Sequence, residues 1–146
     1  MKRREIKSIL TIFGLQITSH IEHQNIIMDK EELKRRTKQF AIDCILFCEG
    51  LPNTFIGNHI KGQLIRCSSS VAANYRASCL AQSRAAYRAK LSIVIEEADE
   101  SEFWLEFIED LRLKVSNEDK LHYLKNEAHE LASIFIVTRR SLGNKK

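Results

Sequence analysis

The 146-residue sequence predicts an all-α fold, an antiparallel up-down four-helix bundle, on three observations. One proline and five glycines are too few for the many turns of β-structure. Apolar residues recur at 3-4 spacing in four segments, and no segment alternates with period two. Short joints carrying N-cap residues and helix breakers separate the four, which sets consecutive helices side by side and antiparallel.

The first segment places Leu33, Thr37, Phe40, Cys44, Phe47 and Leu51 on one stripe. Asp29 is its expected N-cap, Glu31 and Glu32 occupy the first turn where the helix dipole favours acids, and Gly50 and Pro52 stop it. The second runs from about Thr54 to Gln82, with Ile60, Leu64, Val71, Tyr75 and Cys79 toward the core. The serine run Ser68-Ser69-Ser70 predicts a bend in it, because hydroxyls compete for helix carbonyls. The third, Arg84 to Leu111, turns Tyr87, Leu91, Val94, Ala98, Leu105 and Ile108 inward. The fourth follows the capping pair Ser116-Asn117 and packs Leu121, Leu124, Ala128, Leu131, Phe135 and Thr138. It closes on Arg139 and Arg140, where cations complement the dipole.

Two domains of unequal standing follow. Residues 28–146 hold the whole bundle, and residues 1–27 read as an N-terminal extension outside it. The extension begins Met-Lys-Arg-Arg and continues with apolar residues, as a signal peptide does. However, Glu5, Lys7 and Gln16 interrupt it and no small-x-small cleavage site follows. Its apolar run is too short to cross a bilayer, so no membrane is expected as a partner. Cys44, Cys48, Cys67 and Cys79 fall inside apolar patterns, as free thiols of a reduced, cytoplasmic protein do.

Chemistry is hard to find along the chain. A carboxylate-bridged metal bundle needs paired Glu-x-x-His motifs, and the nearest match is Asp119-x-x-His122 at a helix start. There is no His-Glu-x-x-His, no Gly-rich phosphate loop and no Gly-x-Ser-x-Gly. No catalytic residue, cofactor or metal is therefore expected, and the protein reads as a non-enzyme.

Charge is the informative property. Between Glu49 and Glu96 there is no acid and there are six bases: Lys61, Arg66, Arg76, Arg84, Arg88 and Lys90. Residues 96–110 then carry eight acids and no base. A one-signed positive block suits a polyanion, and a negative block beside it suits a positive surface. The candidate nucleic-acid contacts are Arg66, Arg84, Arg88 and Lys90, together with Lys34, Arg35, Arg36 and Lys38 at the start of the first helix. A second face of helix two is small in its middle, at Ser70, Ala73 and Ala77. Phe103, Trp104 and Phe107 fall off the core stripe of helix three. Surplus aromatics and a small-residue face have complementary shapes, so at least one of them is expected at a subunit contact, the alternatives being that the small face packs within the bundle and the aromatics on the chain's own helices.

Three strings resemble the 23S ribosomal RNA intervening-sequence proteins, also called four-helix bundle proteins. They are residues 31–55, 63–107 and 126–140. The most specific parts are Leu51-Pro52-Asn53, the stretch ending Asn74-Tyr75-Arg76, and Glu97-Ala98-Asp99-Glu100 followed by Trp104. The resemblance covers about residues 30–142 and implies a left-turning bundle assembled as a homopentamer, without enzymatic activity. A related branch, the accessory variability proteins of diversity-generating retroelements, is a positively charged pentameric barrel that binds nucleic acid and a reverse transcriptase. This chain departs from that branch in charge, with 19 bases and 17 acids over residues 28–146.

The expected function is thus a homo-oligomeric ring that binds RNA or other nucleic acid through basic helix faces. The alternative is a module that docks a partner enzyme without nucleic acid. Arg76 is expected to lock helices two and three by pairing with Glu97, Asp99 or Glu100.

Overall fold

The computed structural model describes residues 30–143. The expected boundary between an extension at 1–27 and the bundle lies outside the described residues. Four helices follow one another: α1 over residues 30–49, α2 Phe55–Ser78, α3 Arg84–Asp110 and α4 Glu118–Ser141. No strand occurs among the described residues, and the fold is all-α.

Each of the last three helix starts has a chemical cause. Thr54 Oγ1 accepts from Gly57 N at 3.1 Å, Ser83 Oγ from Ala86 N at 3.0 Å, and Asn117 Oδ1 from Lys120 N at 2.9 Å. All three caps hold extended φ/ψ values, as an N-cap must. The joint before α2 folds tightly over its first turn. A Cβ on buried Gly57 would stand 2.1 Å from the Pro52 carbonyl oxygen, so only glycine fits there. At the end of α3, Arg112 takes a left-handed φ of 50° while Arg112 N and Leu113 N return to Glu109 O and Ile108 O. Glycine usually fills this position; an arginine there costs about 1 kcal/mol.

The core follows the stripes expected from spacing, with Leu33, Cys79, Tyr87 and Thr138 only half-buried. Phe40, Cys44, Phe47 and Leu51 are buried in and just after α1. So are Ile60, Leu64, Val71 and Tyr75 in α2, Leu91, Val94, Ala98, Leu105 and Ile108 in α3, and Leu121, Leu124, Ala128, Leu131 and Phe135 in α4. Tyr75 and Phe135 meet across the centre with ring centroids 4.9 Å apart. Thr37 is buried on the stripe expected for it, whereas the pattern did not foretell the burial of Ser68, Ser78 and Ser101. These hydroxyls satisfy themselves on their own helices, as in Ser78 Oγ to Tyr75 O at 2.7 Å and Ser101 Oγ to Glu97 O at 2.7 Å. The same back-bonding occurs in the serine run. The hydroxyl of Ser69 donates to Ile65 O at 2.7 Å and α2 continues unbroken through the serines. It ends at Ser78 rather than Gln82, because Ser83 already caps α3 and the chain must turn between them.

Cross-helix pairs fix the register. Between α1 and α4, Arg36 meets Glu127 and Asp43 meets Lys120. Between α2 and α3, His59 meets Trp104 and Cys67 meets Ser101. Between α3 and α4, Glu102 meets His129 and Glu109 meets Lys125. In every set one residue number rises as the other falls, so the paired helices run antiparallel. The C-terminal turns of α2 and α4 therefore share one end of the bundle with the N-terminus of α3. No described helix is long and apolar enough to cross a membrane.

Candidate nucleic-acid interface

Ser83 caps α3 and thereby sets Arg84 at its first position, with Arg88 one turn later on the same face. The antiparallel register brings the last turns of α4 beside them and adds Arg139 and Arg140. The Arg84 guanidinium donates to Ser141 O at 3.4 Å, tying the two helix ends together. Between them opens a cleft of about 570 Å³, lined by Arg84, Ala85, Arg88, Ala89, Ser92, Arg139 and Leu142. A second cavity of about 400 Å³ adjoins it, lined by Arg88, Ile95, Ile136, Arg139 and Arg140. Arg88 and Arg139 line both.

Among the described residues, no carboxylate lines either cavity or lies within ion-pairing distance of these four arginines. The nearest acid further along α3 is Glu96, eight residues from Arg88, or roughly 12 Å of helix. The nearest on α4 is Glu130, nine residues from Arg139, or roughly 13 Å. Both separations exceed the Debye length of about 8 Å at physiological salt. Glu96 directly follows Ile95, which lines the second cavity, so the positive charge is concentrated at the arginine end.

The expected contacts divide into three groups. Arg84 and Arg88 form the cleft. Arg36 and Arg66 pair with acids of their own bundle. Arg36 Nε and Nη2 grip Glu127 at 2.6 and 2.7 Å, and Arg36 also pairs with Glu130. Glu127 is nearly buried, and the pair pushes the Arg36 guanidinium above its ordinary range against the opposing effect of burial. Arg66 reaches Glu97 at 3.1 Å and also pairs with Glu100. The third group stands elsewhere: Arg35 and Lys38 are exposed on α1, Lys34 is half-buried there, and half-buried Lys90 lies about 200° round α3 from Arg88.

The lock between α2 and α3 thus exists, but Arg66 makes it and not Arg76. Register is the reason. With Cys67 level with Ser101, Arg66 faces Glu97 and Glu100, whereas Arg76 sits ten residues away, about 15 Å along the helix. Arg76 is exposed, with no carboxylate in pairing distance among the described residues, and Asp99 is likewise exposed without a base. The Arg66 hydrogen bond, helped by one from Trp104, holds the Glu100 carboxyl below its ordinary range.

The expected subunit-contact residues are distributed unevenly. Ala73 is exposed, while Ser70 and Ala77 are half-buried, with Ser70 Oγ accepting from Asn74 at 2.9 Å. Phe103, Trp104 and Phe107 pack on each other with centroids 5.0–5.7 Å apart, and Trp104 meets His59 of α2 edge-on at 5.5 Å. Trp104 and Phe107 are therefore partly covered by their own bundle. Phe103 stays 46% exposed, on a stripe with exposed Glu96, Asp99, Glu106 and Asp110.

The remaining reactive groups are quiet. Burial pushes the Cys44 thiol well up, Cys48 to about 12, and Cys67 upward as well, which suppresses the nucleophilic thiolate. No group of three or more His, Cys, Asp or Glu able to hold a metal ion occurs among the described residues. Arg139 and Arg140 are the candidate residues that sequence reading missed. They read as dipole partners of their own helix, and the available signal was the antiparallel order itself, which sets the end of helix four beside the start of helix three.

The model of the 23S rRNA-intervening sequence protein family matches residues 29–136. Among solved structures, the chain is similar to a Bacteroides thetaiotaomicron protein described as of unknown function and from the S23 ribosomal protein family. The two are 26% identical with a TM-score of 0.66, over 77% of this chain and 99% of that one. No curated protein matches the chain significantly.

Proposed function

The chain belongs to the 23S rRNA-intervening sequence protein family, and on that premise we propose that it binds the phosphate backbone of nucleic acid, RNA foremost, as a homo-oligomeric ring. The observation that carries this reading is the cleft of Arg84, Arg88, Arg139 and Arg140, with no carboxylate of the described residues in its lining. Arginine is well matched to phosphate, because its planar fork gives two parallel hydrogen bonds and is weakly hydrated. Each neutralised phosphate also releases counterions, which supplies affinity independent of sequence.

One cleft offers few contacts and weak binding, and a ring of linked copies multiplies it by avidity. Self-assembly is supported by two neighbouring exposed stripes. One runs along α2 through Gly62, Arg66, Ser69, Ala73 and Arg76, small and basic, and on to Leu80 in the following turn; the other runs along α3 through Glu96, Asp99, Phe103, Glu106 and Asp110, acidic with one aromatic. Two unlike, complementary faces on one chain make a head-to-tail contact, the kind that closes rings, and the pentamer implied by the family resemblance is such a ring. Arg76 then finds a neighbour's acids instead of its own.

The test is RNA binding by Arg88→Gln/Arg139→Gln against a control of equal charge change at the other end of the bundle, Arg112→Gln/Lys114→Gln. The cleft variant loses about tenfold in affinity at fixed salt and the control loses little. Equal losses would refute the site. A second reading, a module that docks a partner protein, is favoured by Phe103 standing exposed among acids that repel a polyanion. Under it neither variant changes RNA binding and Phe103→Ser abolishes partner capture.

A further inference from the structure

We infer that the arginine cleft takes an unpaired nucleotide, with its phosphates between Arg88 and Arg139 and its base or sugar on an apolar floor, so that the protein selects single-stranded over duplex nucleic acid. This rests on the nucleic-acid reading above and goes beyond it in naming the form of the ligand.

Three features carry the inference. The arginines converge on a concavity rather than standing along a ridge. The cavities of about 570 and 400 Å³ each lie in the size range of small-ligand pockets, about 300–1,000 Å³. A duplex needs no such hollow, because its phosphates sit on its own convex edge and its bases stay stacked inside.

The second feature is what lies beyond the arginines. The larger cavity is lined by Ala85, Ala89 and Leu142, the smaller by Ile95 and Ile136. Phosphate oxygens gain nothing from methyl groups. A base or ribose set down from the same strand does, by covering apolar surface that water otherwise wets. The third is the sharing of Arg88 and Arg139 between the cavities. A phosphate at that junction has an apolar recess on either side, which is the order of groups along a single strand. The alanines create the larger recess: Ala85 and Ala89 stand one turn apart, and longer side chains there would fill it without touching a charge.

The experiment compares one labelled single-stranded RNA with its own duplex at equal salt, on the full chain. The variants are Ala89→Leu, and Ala85→Leu as an independent second filling of the floor. Both positions are exposed on α3, so both variants keep the fold, which circular dichroism checks. The single strand binds at least about tenfold tighter than the duplex. Each leucine variant loses about that factor on the single strand and nothing on the duplex. Adenosine 5′-monophosphate competes with the single strand, and inorganic phosphate at the same concentration does not. A duplex bound as tightly as the single strand, or leucine variants with unchanged binding, would overturn the inference. The nucleic-acid reading survives that result if Arg88→Gln/Arg139→Gln still weakens both RNAs. If the arginine variant changes neither, the reading itself falls and the inference with it.

Discussion

Arg36, Arg66 and Arg76 are alike in sequence, arginines on amphipathic helices, and the fold gives them different roles. Arg36 closes a bidentate pair on Glu127 with only 28% of its side chain exposed. Removing one partner of a fully buried pair costs roughly 3–5 kcal/mol, and surface pairs contribute about 0–1. Arg36→Met falls between, and should destabilise the bundle by about 2 kcal/mol, because Glu127 is left desolvated without its cation. Urea unfolding checks this through a lower midpoint at unchanged slope. Arg76→Met, exposed and without an intrachain carboxylate partner among the described residues, should leave the stability of the subunit unchanged. Sequence reading assigned the interhelix lock to Arg76 and phosphate contacts to Arg36 and Arg66, whereas in the fold Arg36 and Arg66 carry the interhelix pairs. An arginine's role depends on which carboxylate the neighbouring helix sets opposite, and register across a joint is invisible in composition. Burial was legible residue by residue where side chains are apolar. It was not legible for Ser68, Ser78 and Ser101, because hydroxyls that bond their own helix bury without a partner in the pattern.

α2 and α3 show how an element's charges become structure. Arg66 ties Glu97 and Glu100 together, and Lys125 pairs with Glu109, whose carboxyl is also held below its ordinary range by that hydrogen bond. A carboxyl with a depressed folded pKa gives stability that is present above its unfolded value, about 4.3, and lost as pH falls through the folded one. Removing the depression removes that loss. Arg66→Gln should therefore show a flatter fall in stability between roughly pH 5 and pH 3 than the unaltered chain, measured by urea midpoints at each pH. Parallel curves would contradict the assignment of Glu100 to Arg66. The element boundaries themselves were mostly legible. Asn117 announces α4 because an N-cap is a local bond between a side chain and a backbone two or three residues on. The end of α2 was not, since Cys79 to Gln82 have no breaker, and the cap of the next helix decides the turn.

At the scale of the whole molecule, the candidate site is built from residues 84–95 and 136–142, far apart in sequence. The four-helix fold was readable because each stripe is written within one segment. The cleft was half-readable: Arg84 and Arg88 stand in the acid-free block, whereas Arg139 and Arg140 join only through antiparallel packing. The same packing leaves the α2 and α3 stripes on the outside. Ala73→Glu puts a bulky acid in the middle of the small, basic stripe, facing the acids of a neighbouring copy. It should lower the assembled mass measured by light scattering and reduce RNA affinity with it. An unchanged mass would remove this face from the subunit contact.

Neutralisation of phosphates by the arginine cleft is decided by the salt dependence of RNA affinity. For single strands the slope of log affinity against log salt is roughly −0.7 per neutralised phosphate. Removing two cleft arginines in Arg88→Gln/Arg139→Gln should make the slope shallower by up to about 1.4 for each occupied cleft. A variant whose slope equals that of the unaltered chain would show that the phosphates lie elsewhere.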